Sequence, residues 1–268
     1  SAEMRLSELS GTTGVMRTRA FHSAMSLRGA VIDLDGTVYR GGELLDGAAT
    51  GVERLREAGA ELLFFSNNPV KGGDAYVDRL SGMGLSVSPG EACSAGVVTT
   101  EYLSANHADD RVFCIGADGL RRQFVDADIE LTEDPVDSDV LVASWTPEFD
   151  YGDMRDALTA VDDGTAFLGT DPDRTFPMEN DRVVPGSGSI IGSVAAVVGR
   201  EPDAILGKPS EYARDAAIER LGVDPAECLI VGDRLDTDLL LGDRAGMTTV
   251  LVLSGVSDRA DIGRSEVD

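Results

Sequence analysis

From Gly29 onward, short apolar runs alternate with stretches in which apolar residues recur every three or four positions. The run at 30–33 predicts a strand. Val52 and Leu55 within 46–58 predict a helix that Gly59 stops. A second run, 62–65, predicts another strand, closed by Ser66-Asn67-Asn68-Pro69, and Tyr76, Val77 and Leu80 mark an amphipathic helix that ends at 82–84. Strand, helix, strand and helix in close succession predict βαβ units on a parallel sheet with both faces covered, an α/β fold. The rhythm returns late in the chain: a helix over 190–198, a strand at 204–206, a helix over 212–221, a strand at 228–231, a helix near Leu239 and a strand at 248–253. These segments are expected to join the first sheet. Between them, 111–115, 119–124, 140–143, 154–161 and 166–168 form a second set of βα units, bounded by loops rich in Asp, Pro and Gly. An inserted domain over 97–184 is therefore expected, dividing the core into 27–96 and 185–268. Residues 1–26 lack apolar periodicity and are expected to form a flexible N-terminal extension. No fixed-period repeat or low-complexity tract is present.

Charge narrows the possible partners. Lys and Arg total 23 against 48 Asp and Glu, a formal net charge of −25, which repels phosphate backbones and anionic membranes. Neither nucleic acid nor membrane is expected as a partner. Lys71 and Lys208 are the only lysines. Acid spread along the whole chain, with Arg preferred over Lys, resembles the halophilic proteins of salt-loving archaea, whose acidic surfaces stay hydrated. Cys93, Cys114 and Cys228 are odd in number and lack C-x-x-C spacing, so neither a disulfide framework nor a zinc site is suggested. They fit a reducing, cytoplasmic setting. The two histidines, His22 and His107, sit beside no nucleophile-like motif, which leaves catalysis to carboxylates. No apolar stretch approaches the roughly 18 residues of a membrane span, and the N-terminal segment lacks the apolar region of a signal peptide.

In open parallel sheets, ligands sit outside the carboxyl ends of the strands, so the polar residues that close each run are the ones to inspect. Four ends stand out. Val31-Ile32-Asp33-Leu34-Asp35-Gly36-Thr37 places two carboxylates two residues apart, although Asp35-Gly36 also suits a hairpin turn. A calcium loop does not fit, because position six counted from Asp33 is Val38 and position twelve is Leu44. Ser66-Asn67 offers a hydroxyl and turn amides to an oxyanion, and equally suits a plain turn before Pro69. Gly207-Lys208-Pro209 puts a compact positive charge at a strand end, where a chance surface lysine is the plainer explanation. Ile230-Val231-Gly232-Asp233 leads into a further acid, Asp238, in a chain acidic enough to cluster aspartates by chance. Together the four ends predict a site for a phosphate held by Mg²⁺. Carboxylates suit a hard cation, a lysine and a hydroxyl suit phosphoryl oxygens, and an Asp is an established nucleophile for phosphoryl transfer.

These motifs resemble those of the haloacid dehalogenase-like superfamily: D-x-D-G-T at 33–37, Ser66, Lys208 and G-D-x-x-x-T-D at 232–238. Asn67, G-K-P-S at 207–210 and the large insertion between the second and third motifs are similar to the branch that holds the NagD-like nucleotidases and the p-nitrophenyl phosphatases. The resemblance covers nearly everything from Leu27 onward, and such proteins usually add a final strand and helix beyond the point where this sequence stops. It implies a Rossmann-like α/β core with an inserted α/β cap, and it implies a role for each motif residue. Asp33 attacks phosphorus. Asp35 protonates the leaving oxygen and then activates water. Mg²⁺ is held by Asp33, the main-chain carbonyl of Asp35 and Asp233, with Asp238 behind them. Ser66, Asn67 and Lys208 bind the phosphoryl oxygens.

The expected activity is thus Mg²⁺-dependent hydrolysis of a small phosphorylated metabolite. A phosphotransferase, a phosphoacceptor signalling domain and a non-catalytic binding protein are the alternatives. Nucleoside monophosphate, sugar phosphate, phosphoglycolate and glycerol phosphate all fit the pattern, and homo-oligomerisation is left open. Gly186-Ser187-Gly188-Ser189 with Gly192 is one residue too long for a dinucleotide fingerprint, so a helix N-terminus is expected there instead. In the insertion, polar loops at 145–148 and 169–174 follow apolar runs. Trp145 is expected to serve as ordinary packing.

Overall fold

A computed structural model describes residues 27–177, 183–265 and 267 of the chain. The expected N-terminal extension, 1–26, lies outside the described residues. In chain order the elements are β1 (Gly29–Ile32), β2 (Tyr39–Arg40), β3 (Glu43–Leu44), α1 (Ala48–Glu57), β4 (Glu61–Ser66), α2 (Gly73–Gly82), β5 (Ala92–Ser94) and α3 (Ala95–Asn106). Next come β6 (Val112–Ile115), α4 (Asp118–Asp126), β7 (Val140–Ala143), α5 (Tyr151–Ala160), β8 (Ala166–Gly169), β9 (Thr175–Pro177), β10 (Val183–Pro185), α6 (Ser187–Val198) and β11 (Ala204–Ile205). The last are α7 (Glu211–Leu221), β12 (Cys228–Gly232), α8 (Leu240–Ala245) and β13 (Thr248–Leu251).

The chain divides into two compact units. The first holds the described residues up to Ser66, together with Gly73–Cys93 and those from Ala213 on; the second holds Asn67–Gly72 and Ser94–Tyr212. The first unit is built on a five-stranded sheet in the order β13-β12-β1-β4-β5. β1 is its centre. It runs parallel to β12, with Val31 opposite Ile230, and parallel to β4, with Val31 opposite Leu63. All four residues of β1 are buried, as a strand covered on both faces requires. Ile32, Leu34, Tyr39, Leu62, Phe64, Tyr76 and Leu80 share its main apolar cluster. Full burial of side chains such as Phe64 stabilises the fold by about 1.5–3 kcal/mol each. Val52 and Leu55 are the buried face of α1, as their spacing predicts.

The second unit has its own four-stranded sheet, in the order β11-β8-β7-β6, with all neighbours parallel. α5 and α6 pack on it through Ala157, Ala160, Ile190, Ile191 and Val194, against Leu141, Ala143 and Phe167. The start of α5 is fixed by Asp150, whose carboxylate accepts the Gly152 N–H at 2.6 Å while Asp153 reaches back to the Asp150 N–H at 2.8 Å. Trp145 packs edge-on against Phe176 with ring centroids 5.6 Å apart, as its expected packing role requires.

Strand pairing corrects the expected sheet membership. Residues 204–206 do not join the first sheet: Ala204 pairs with Leu168 and Ile205 with Gly169 in the second. α6 likewise packs on the second sheet. The positions 97 and 184, expected to bound the insertion, fall inside α3 and β10, and the second unit reaches on both sides of them. Asp35-Gly36 is not the turn of a hairpin made with β1, whose partners are both parallel. The hairpin is β2–β3, with Tyr39 opposite Leu44.

Candidate active site

β1 delivers Asp33 directly from its carboxyl end. The Asp33 N–H donates to the Val231 carbonyl at 2.9 Å, extending the ladder by one residue. Its side chain then receives the Thr37 hydroxyl on Oδ2 at 3.1 Å. The chain turns at once, because the N–H groups of Thr37, Val38 and Tyr39 all point to the Leu34 carbonyl. Gly36 permits the turn at φ 84°, a conformation that costs a residue with a Cβ. Asp33 is buried, whereas Asp35 is exposed at the edge of this turn and accepts the Tyr39 hydroxyl on Oδ2 at 3.2 Å.

β12, the neighbour of β1, delivers Asp233 in the same way. Beyond it the chain makes one wide turn over Leu235–Leu239, with the Leu239 N–H reaching back five residues to the Arg234 carbonyl at 3.1 Å. Such π turns cluster at functional sites. Here the turn brings Asp238 back under the strand end, where its carboxylate accepts the Arg234 N–H at 3.2 Å. Asp33, Asp233 and Asp238 each offer an oxygen within 4.8 Å of the others, and all three are buried. The described residues contain one such group of three or more potential ligands.

The loop after β13 closes around this cluster. The Val256 N–H donates to Asp233 Oδ2 at 2.7 Å, the Ser257 N–H donates to the Asp233 carbonyl at 3.0 Å, and the Ser254 hydroxyl donates to the Gly36 carbonyl at 2.7 Å. A Cβ on Gly255 would lie 1.8 Å from Asp233 Oδ2, and one on Gly36 would lie 2.6 Å from the same atom. The Asp233 carboxylate therefore occupies a cradle that side chains at either glycine would fill. Three hard oxygen donors gathered in so small a space fit Mg²⁺, which takes carboxylates and keeps some of its waters. Asp33 and Asp233 are thus brought together as expected. The carboxylate of Asp35 is not in the cluster.

Ser66 ends β4 as a buried hydroxyl and accepts the Tyr76 O–H at 3.1 Å. The two remaining expected residues, Asn67 and Lys208, belong to the second unit and are joined there. The Asn67 carboxamide accepts the Lys208 N–H at 2.8 Å and donates to the Lys208 carbonyl at 3.0 Å, a two-point clamp on one peptide. Both side chains are buried. Asn67 thus acts on the main chain of the very lysine with which the sequence associates it.

Sequence reasoning missed three parts of this site. Tyr39 and Tyr76 look like ordinary core residues, and Val256 contributes only a backbone N–H. The signal for the last was Gly255, the one residue type that admits such an approach. Two of the three cysteines play no competing role: burial pushes the Cys114 thiol up to about 12 and that of Cys228 up to about 11, so both remain protonated.

Comparison with known proteins places this geometry in context. Residues 30–130 match the haloacid dehalogenase-like hydrolase family and residues 205–268 match a HAD-hydrolase-like family. A sugar-phosphatase from Bacillus subtilis, AraL, is 30% identical over 92% of this chain and 90% of its own. The p-nitrophenyl phosphatase from Archaeoglobus fulgidus superposes with a TM-score of 0.82 at 33% identity, covering 89% of this chain and 90% of that one. A glycerol phosphate phosphatase from Mycobacterium tuberculosis, solved in complex with magnesium, gives a TM-score of 0.80 at 26% identity, with 90% of this chain and 72% of that chain covered.

Proposed function

Because the chain belongs to the haloacid dehalogenase-like hydrolases and is a phosphatase, we propose that it hydrolyses a small phosphorylated metabolite through an aspartyl-phosphate on Asp33. The observation that carries the reading is the cluster of Asp33, Asp233 and Asp238 at adjoining strand ends, with Asp35 two residues beyond the first. In the first step an Asp33 carboxylate oxygen attacks phosphorus and the ester P–O bond breaks, while Asp35 gives its proton to the departing oxygen. In the second, water attacks the phosphorus of the acyl phosphate. Asp35 takes the water's proton, the bond to Asp33 breaks, and inorganic phosphate leaves with the Asp33 carboxylate restored.

Asp33, the Asp35 carbonyl and Asp233 would hold Mg²⁺, which when bound would supply positive charge that offsets repulsion between a carboxylate nucleophile and a phosphate dianion. Thr37 holds Asp33 Oδ2 and so orients the nucleophile. The Tyr76 hydroxyl donates a hydrogen bond to Ser66 Oγ, which directs the serine's own proton elsewhere. The family reading assigns that proton, the Asn67 amide and the Lys208 ammonium to the phosphoryl oxygens. A sugar phosphate or glycerol phosphate is the favoured substrate class, since relatives over most of the chain are named for them.

Rapid acid quench after mixing with a ³²P-labelled monoester tests the reading. Protein-bound phosphate that hydroxylamine releases is expected in the wild type and absent from Asp33→Asn, whose turnover should fall by about a thousandfold or more. Turnover of Asp33→Asn within tenfold of wild type would remove Asp33 as the nucleophile.

A further inference from the structure

We propose that Tyr39 is the positioning residue for Asp35: its buried hydroxyl holds one oxygen of that carboxyl, so that the proton passes along a fixed direction. The inference rests on the reading of Asp35 as general acid and base. Asp35 projects from the turn at the end of β1 and is exposed, with two rotatable bonds between its backbone and its oxygens. A general acid has to present its proton within hydrogen-bond reach of the leaving oxygen, and rotation of the carboxyl dilutes that arrangement.

Tyr39 supplies the restraint. Its side chain is 1% exposed and its hydroxyl donates to Asp35 Oδ2 at 3.2 Å. The two backbones are locked as well, since the Gly36 N–H donates to the Tyr39 carbonyl at 2.9 Å and residues 35 and 39 form a β-bridge. Donor and acceptor are thus carried by one short, closed turn.

The ring is held from its far side. The Arg79 guanidinium lies 4.5 Å from the ring centroid, and its other end donates to the Gly41 carbonyl in the β2–β3 turn. Arg79 Nε is buried without a hydrogen bond, so this arginine is placed for its contact with the ring rather than for a full set of polar partners. Arg79 stands three residues after Tyr76 on α2, the spacing at which helix side chains are neighbours. One helix therefore carries both the tyrosine on Ser66 and the arginine behind Tyr39. A tyrosine that merely filled the core would need neither a carboxyl acceptor in the site nor a cation on its face.

The test compares kcat/KM for phenyl phosphate and p-nitrophenyl phosphate, esters of similar shape of which the first needs its leaving oxygen protonated more. Tyr39→Phe keeps the ring and removes the hydroxyl. We expect kcat/KM for phenyl phosphate to fall about fivefold while that for p-nitrophenyl phosphate stays within twofold, the KM values being unchanged. Arg79→Met, which withdraws the cation and leaves an aliphatic cover, should act in the same direction by about twofold and decides the matter if Tyr39→Phe does not fold. Equal losses on the two esters, or no loss on either, would overturn the role of Tyr39. Asp35→Asn, measured alongside, separates the two claims. If Asp35→Asn discriminates between the esters and Tyr39→Phe does not, only Tyr39 is wrong. If Asp35→Asn itself treats them alike, the general-acid assignment falls and the role of Tyr39 falls with it.

Discussion

In the first unit Asp33, Asp233 and Asp238 are buried within 4.8 Å of one another, fastened by backbone N–H groups and a threonine hydroxyl and flanked by two glycines that leave space open. In the second unit Asp171 is buried just as deeply, at the end of β8, yet its surroundings are small hydroxyls. Thr170 donates to its Oδ2 at 3.0 Å and in turn meets the Ser144 hydroxyl at 2.8 Å, Ser187 also bonds to it, and the Asp173 N–H reaches its Oδ1 at 3.2 Å. Burial, with Asp173 beside it, pushes the Asp171 carboxyl up to about 8. A buried carboxylate has to be neutralised by something. The first cluster is shaped to take a cation. At the second, burial and the neighbouring Asp173 favour a proton while the hydroxyl partners favour the charge, so the difference lies in whether several carboxylates converge or one is buried alone beside another.

The contrast is broken most severely at the first cluster. Gly255→Ala would put a methyl 1.8 Å from the Asp233 oxygen that Val256 holds, so the carboxylate or the loop must move. We expect about a hundredfold loss of kcat/KM and a Mg²⁺ concentration for half activity raised at least about tenfold. Titration of activity with Mg²⁺ after EDTA treatment measures both, and wild-type Mg²⁺ dependence in this variant would deny the cradle its role.

A proton-bearing Asp171 makes a different demand. Its folded-state pKa is raised above the ordinary value of 3.8, so the native state binds the proton more tightly than the unfolded chain does. The stability this contributes is fully present below the unfolded value and is lost as pH rises toward about 8. Asp171→Asn keeps the shape and removes the titration. Chemical denaturation from pH 4 to pH 9 should show a gap that opens in favour of the variant, reaching a few kcal/mol near pH 8 and then levelling. Parallel curves for the two proteins would mean that Asp171 is ionised throughout. The same substitution should leave Mg²⁺ dependence untouched, which is the sharpest separation between the clusters.

The smallest effect is global. With a net charge of −25, repulsion acts over a Debye length of about 10 Å at 0.1 M salt and about 3 Å at 1 M. We propose that the acidity is an adaptation to salt, so the melting temperature should climb by several degrees between 0.1 and 3 M KCl while KM rises only modestly, because buried charges are screened less. A melting temperature that is flat or falling with KCl would reopen the search for a cationic partner.

How much of this was legible in the sequence follows from where each residue sits. Asp33 and Asp233 close apolar runs, so period and position exposed them together. The helix of Val52 and Leu55 was legible for the same reason. α3 was not, because its buried set of Ala95, Gly96, Val98, Thr99 and Leu103 spreads around the helix and leaves no apolar stripe. Residues 204–206 read clearly as a strand but were expected in the wrong sheet, since a short apolar run carries no record of its partner. Tyr39 was hidden by the two-residue length of its strand, and Val256 because its contribution is a backbone group, the same in every residue but proline.

The loop at 254–257 sets a timetable for the molecule. Ser254 reaches the Gly36 carbonyl across 218 residues, and Val256 reaches back 23 to Asp233. During synthesis a nascent chain carries Asp33 for the time needed to add the more than two hundred residues up to Val256, which at about 5–20 residues per second is tens of seconds at the slower rate. Until β12 and this loop follow, Asp33 lacks its neighbour Asp233 and the loop that fastens that neighbour. The loop at 254–257 and the turn at Gly36 can therefore be joined only after the whole stretch of chain between them has been made.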